Sequence, residues 1–168
     1  IAVEDNSTIH TISSTTMQDL ETVTITIPSD GYIVLTGKAW GRIGGTTGGA
    51  SVFVQIDETS GGGNVIPYWT IFGSSAMPST SNHFYPIFVQ RVYQKTAGAY
   101  TFRLEAAQNL TSTGAIMAVA DPILIATYYP TAYGTVNTFI LSGFGGPDDQ
   151  YIKKLFTMKI NRASRDVA

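Results

Sequence analysis

For acid–base or metal chemistry near neutral pH the chain offers two histidines and twelve carboxylates, and it has no cysteine. Neither His10 nor His83 stands near a second ligand-type residue at metal-binding spacing, and there is no His-Glu-x-x-His pattern. Asp57-Glu58 and Asp148-Asp149 could hold calcium together with backbone carbonyls. Both lack the spaced oxygen donors of a calcium loop, so they read as solvated turns. A glycosidase-like carboxylate pair stays open from sequence, although no carboxylate stands in a recognisable motif. There is no Gly-x-Ser-x-Gly elbow. The glycine runs at 44–49 and 61–63 are not followed by the Lys-Ser/Thr and helix that cradle a phosphate. These absences lead to the expectation of a non-catalytic protein with no cofactor and no metal.

Binding chemistry is better supplied. Trp40, Trp69, Tyr68, Tyr93, Tyr128, Tyr129 and Tyr133 carry flat faces of the kind that stack on sugar rings, although most are expected in the core or at an interface. The segment Gly73 to Asn82, with Met77-Pro78 inside it, reads as a long exposed loop, and long ordered loops are often functional. Trp69, Met77 and His83 are therefore the candidate ligand-loop residues, with the glycine-rich stretch 44–49 beside them. Asn6-Ser7-Thr8 and Asn109-Leu110-Thr111 match the glycosylation acceptor pattern, which matters only in an export pathway that glycosylates.

The elements that would position these residues are strands. Short runs rich in Val, Ile, Thr, Tyr and Phe recur between Gly, Pro, Ser and Asn clusters, and helix signals are nearly missing. Thr22, Thr24 and Thr26 alternate with Val23, Ile25 and Ile27, and Pro28-Ser-Asp-Gly31 then makes a turn. Tyr32 to Trp40 resumes as a strand, and Val52, Val54 and Ile56 give the inward face of the next. Further strands are predicted at Asn64 to Phe72, Phe84 to Gln94, Ala99 to Ala107, Gly114 to Ala120, Ile123 to Tyr129 and Val136 to Leu141, with a short one at Ile9 to Ser13. In the run Gly98 to Ala106, Tyr100, Phe102 and Leu104 alternate with Thr101, Arg103 and Glu105, which marks a half-buried strand. Ile123 to Tyr129 is apolar at nearly every residue, as a strand covered on both faces would be.

The predicted architecture is all-β, a sandwich of about eight to ten strands with extra segments at both ends. One globular domain is expected, divided into an N-terminal strand or extension at 1–14, the sandwich at 15–142 and a C-terminal extension at 143–168. Five basic residues, Lys153, Lys154, Lys159, Arg162 and Arg165, fall in the last sixteen positions. There Phe156, Met158 and Ile160 alternate with Thr157 and Lys159 as a final strand would. Ile1, Val3, Ile9, Phe156, Met158 and Ile160 are the candidate self-assembly residues, because a terminal strand of one copy can complete the sheet of its neighbour.

Charged residues form only 13% of the chain and the net charge is −2, against about 25% charged in an ordinary soluble domain. Such a balance gives no field for nucleic acid or anionic lipid, and it suits faces that are covered by copies of the same chain. No run approaches the roughly eighteen apolar residues of a membrane helix. The sequence starts at Ile1 with no initiator Met and no basic segment leading into an apolar one, so removal of a signal peptide, and a secreted or cell-surface location, are expected.

Three stretches resemble prokaryotic jelly-roll domains of the C1q and tumour-necrosis-factor type: Pro28-Ser-Asp-Gly-Tyr-Ile-Val-Leu35, Ala97-Gly-Ala-Tyr-Thr-Phe-Arg-Leu104 and Pro122-Ile-Leu-Ile-Ala-Thr-Tyr-Tyr-Pro-Thr-Ala-Tyr-Gly134. The resemblance covers Thr15 to Gly134. It implies a two-sheet fold of about ten strands that trimerises through aromatic and aliphatic faces, works outside the cell, and binds or builds rather than catalyses. The chain departs from that family at both ends, in Ile1 to Ile12 and in the residues beyond Gly134.

Overall fold

The computed structural model of the chain describes residues 1–5, 7–45, 50–58, 69–74, 82–108, 116–140 and 154–160. Strands β1 (Ala2–Asp5), β2 (Ile9–Thr11), β3 (Gln18–Ile27), β4 (Gly31–Gly44), β5 (Ala50–Asp57), β6 (Trp69–Ser74), β7 (Asn82–Lys95), β8 (Gly98–Gln108) and β9 (Ile116–Pro130) form two antiparallel sheets. In the first sheet β9 lies between β4 and the short strands β1 and β2, and β7 lies on the far side of β4. The second sheet runs β3, β8, β5, β6. The chain crosses between sheets at nearly every connection, which is the jelly-roll path.

Alternation builds the core. On β3, Val23, Ile25 and Ile27 are buried while Thr22, Thr24 and Thr26 are exposed. On β4 the buried phase is Ile33, Leu35, Gly37 and Ala39, and on β8 it includes Phe102, Leu104 and Ala106. Val52, Val54 and Ile56 of β5 join Leu124 and Ala126 of β9 in the same layer between the sheets. Burying side chains of this size contributes about 1.5–3 kcal/mol each, so the shared phase of the strands fixes which face of each sheet is internal.

The turn at Pro28 to Asp30 is tied down by its neighbours. The Asp30 carboxylate accepts from the Ala97 amide at 3.1 Å, and the Asp30 carbonyl accepts from the Thr131 amide at 3.2 Å. Three connections are thereby held at one end of the sandwich.

Two predicted strands, at 114–120 and 123–129, are one strand in the structure. The break expected at Asp121-Pro122 is a bulge: β9 sets both residues against Ala39 alone, between the pairs Lys38↔Ile123 and Trp40↔Ala120. Asp121 takes a φ of 50°, which a short polar side chain tolerates better than most, and Pro122, which has no N–H, falls where the ladder is already interrupted. The same kink divides the outer edge of β9. Val119 and its neighbours pair with β2, and Ile123 to Ala126 pair with β1.

The C-terminal part differs from its predicted place. A strand at 136–141 was expected inside the sandwich. Instead β10 (Gly134–Ile140) pairs with β11 (Lys154–Ile160) in a separate two-stranded sheet, after the short 3-10 turn at Thr131–Tyr133.

Candidate interaction surface

Seven large apolar side chains are prominently exposed among the described residues: Ile1, Val3, Ile9, Trp40, Phe84, Phe88 and Ile116. All of them belong to the outer face of the first sheet or its immediate margin. The register lays that face out in rows. One row runs Ile9, Ala120, Trp40, Pro86; the next runs Asp5, Ile123, Lys38, Phe88; the next runs Val3, Ile125, Thr36, Gln90. Phe84 lies beside Arg42, and Ile116 beside Gly44. Neighbouring strands are about 4.8 Å apart, so these side chains share one field that is mostly apolar and is broken by Lys38, Thr36, Gln90 and Arg42. Thr36 and Gln90 satisfy each other within it, the Gln90 amide donating to the Thr36 hydroxyl at 3.1 Å.

This field corrects the expectation that Ile123 to Tyr129 is covered on both faces. Leu124 and Ala126 are buried in the core, whereas Ile123, Ile125 and Thr127 on the opposite phase are only half-buried. The strand is apolar on both sides because its outer side belongs to a sheet face rich in apolar side chains, which none of the other described strands packs against. β7 repeats the pattern, with Ile87 and Val89 inward and Phe84 and Phe88 outward.

The predicted self-assembly residues fall into two groups. Val3 and Ile9 lie at the exposed margin of the apolar face, on strands that pair with β9 of their own chain, and exposed Ile1 immediately precedes β1. Phe156, Met158 and Ile160 lie on β11, in register with Thr138, Val136 and Gly134. The ligand-loop residues are not gathered. Trp69 opens β6 opposite Gln55 in the second sheet, His83 stands opposite Ile43 in the first, and Met77 lies outside the described residues. The segment at 73–82 is strand as far as Ser74 and from Asn82 onward. Its ends do meet those of the glycine-rich stretch, since Ser74 pairs with Ala50 and Asn82 with Gly44. The two glycosylation-pattern asparagines and Asp148-Asp149 also lie outside the described residues. Phe84, Phe88 and Ile116 were not singled out from sequence, and Trp40 was named only among the aromatics that could stack on sugar rings. The signal available was that both phases of Phe84 to Val89 are apolar.

A second cluster closes the gap between the sheets beside β7. Arg91 donates to the Ile56 carbonyl at 2.7 Å and to the Asp57 carboxylate at 3.3 Å. Lys95 pairs with Glu58 at 2.7 Å, and Arg103 lies 3.3 Å from the Asp19 carboxylate. The Arg91 guanidinium sits 4.6 Å from the Tyr93 ring centre. Burial, reinforced by the Asp57 and Glu58 charges, pushes the Tyr93 hydroxyl well above the ordinary tyrosine range against the lowering effect of Arg91. Asp57 and Glu58 are thus structural ion-pair partners rather than solvated turn residues. On the second sheet Glu105 and Gln55 are fully buried, the Gln55 amide donating to the carboxylate at 3.2 Å.

Among the described residues no three His, Cys, Asp or Glu side chains are grouped to hold a metal, and no helix is long and apolar enough to cross a membrane. Compared with known proteins, the chain matches no protein-family model and no curated protein.

Proposed function

We propose that this chain is an exported, non-catalytic structural subunit that assembles with copies of itself through the outer face of its first sheet. The observation that carries the reading is that the seven exposed large hydrophobics of the described residues all lie on that face or its margin. Scattered apolar residues are normal on a surface, but a field that is mostly apolar marks a contact. A chain with so few charges loses little when that field is desolvated. The resemblance to C1q and tumour-necrosis-factor jelly rolls supports the same reading, including an extracellular site of action.

Exchange of β1 or β2 with a neighbour uses the same hydrogen bonds that these strands make to their own β9, so it is a variant of this reading. The direct test is the mass of the particle over a range of protein concentrations, by sedimentation or light scattering. Assembly of the natural chain, and its loss in a Trp40→Ser, Phe84→Ser, Phe88→Ser variant that keeps its β spectrum, supports the reading. A natural chain that stays single at high concentration overturns it.

A second reading rests on the exposure of Trp40 beside Phe84 and Phe88. Three aromatic side chains on one flat face are a stacking platform for carbohydrate, as an adhesin or binding module would need. A glycan array on which Trp40→Ala removes every hit supports it, and an empty array with the natural chain removes it.

A further inference from the structure

Lys38 interrupts the apolar field near its middle. Its neighbours in register are Ile123 on β9 and Phe88 on β7, and its side chain is exposed. The ion pairs of the described residues join Arg91 to Asp57, Lys95 to Glu58 and Arg103 to Asp19, and none involves Lys38. In the same row, one strand beyond Ile123, stands Asp5 of β1. Asp5 shares the outward phase of Val3, is exposed, and likewise forms no ion pair among the described residues. Besides Arg42, which lies toward the end of β4 beside Phe84, the face therefore carries Lys38 near its centre and Asp5 at its β1 margin, two strand spacings apart, which is about 9–10 Å between backbones.

An ammonium enclosed by apolar side chains is strongly disfavoured unless a carboxylate meets it. If this face is covered by a partner, the partner must bring an acidic group to Lys38 and a basic group to Asp5, and a second copy of the same chain carries both. We propose that the occupant of the face is another copy, seated so that Asp5 at the margin of one copy pairs with Lys38 near the centre of the other. The inference rests on the self-assembly reading and adds to it the contact that sets the seating. The apolar field alone tolerates many sliding arrangements. The charge pair selects one of them and repels those that bring Lys38 against Lys38 or Asp5 against Asp5.

Charge reversal with mixing tests this. Lys38→Glu and Asp5→Lys, each on an exposed side chain, leave the thermal midpoint of the fold near that of the natural chain. Each alone raises the concentration needed for assembly by roughly thirty-fold or more. Mixing the two variants in equal amounts recovers assembly, because each supplies the charge its partner now needs, and the double variant assembles on its own. If the natural chain assembles and both single variants match it, the charge pair is wrong while the self-assembly reading stands. If the double variant recovers but the mixture does not, the two residues pair within one chain and the inference falls. A natural chain that never assembles removes the self-assembly reading itself.

Discussion

The ring of Tyr128 packs against the α-carbon of Gly31, so closely that a β-carbon at position 31 would collide with the ring and with the Tyr129 carbonyl oxygen. The same tyrosine hydroxyl donates to the Ser29 carbonyl at 2.9 Å and lies 2.7 Å from the Ser29 hydroxyl. A strand end from late in the chain thus clamps a turn from early in it. Gly31→Ala, which must move backbone as well as a ring, is expected to destabilise the fold by about 1–3 kcal/mol in urea unfolding. Tyr128→Phe, which keeps the packing and loses the hydrogen bonds, should cost about 1 kcal/mol.

The Arg91 cluster makes a prediction about alkaline stability. The folded protein holds the Tyr93 phenol protonated and neutral, while the unfolded chain releases that proton near pH 10. The stability contributed by this group is whole below that pH and is lost as pH rises toward the higher folded value. Tyr93→Phe should therefore flatten the fall in unfolding free energy above about pH 10, relative to its own value at neutral pH. A variant whose alkaline fall parallels that of the natural chain would refute this account.

Arg91→Met should destabilise the protein by about 1–3 kcal/mol, because it leaves the Ile56 carbonyl and the Asp57 carboxylate without their shared donor. The change is expected to be smaller in the double variant with Asp57→Asn, and a thermodynamic cycle over the two positions measures the difference.

Trp40 reports on the proposed contact. Its side chain is 52% exposed in the single chain, so burial by a second copy should shift its fluorescence to shorter wavelength as concentration rises. The shift should vanish in Trp40→Phe, which leaves Trp69 as the other emitter.

Whether β1 stays on its own chain is read by a disulfide. Val3 and Ile125 are register partners across β1 and β9, at a spacing of about 4.5–5.5 Å that a disulfide spans, and the chain has no cysteine of its own. The pair Val3→Cys and Ile125→Cys, oxidised, should run as a single-chain band if the strand pairs as in the structure. A ladder of covalent multimers would show strand exchange instead.

Most of the sandwich was legible in the residues. The Thr-Val-Thr-Ile-Thr-Ile alternation of β3 and the Tyr-x-Phe-x-Leu phase of β8 name their buried faces directly. Two features were hidden for physical reasons. A Pro after an Asp ordinarily ends a strand, and only the presence of β4 on one side and of two short strands on the other lets the ladder resume past it. An apolar run such as Ile123 to Tyr129 has the same composition whether its second face meets its own core or stays open for another molecule, so the exposed field could not be told from a core. Of the ligand-loop residues, Trp69 and His83 fall on different sheets because the chain crosses from one to the other between β6 and β7, and Met77 lies outside the described residues.

The Asp121 kink gives the N-terminus two short fastenings in place of one long one. Four residues grip β9 beyond the bend and three grip it before the bend, so one clasp can come undone while the other holds. In the proposed strand exchange, β1 passes to a neighbouring copy while β2 keeps covering the stretch of β9 before the bend.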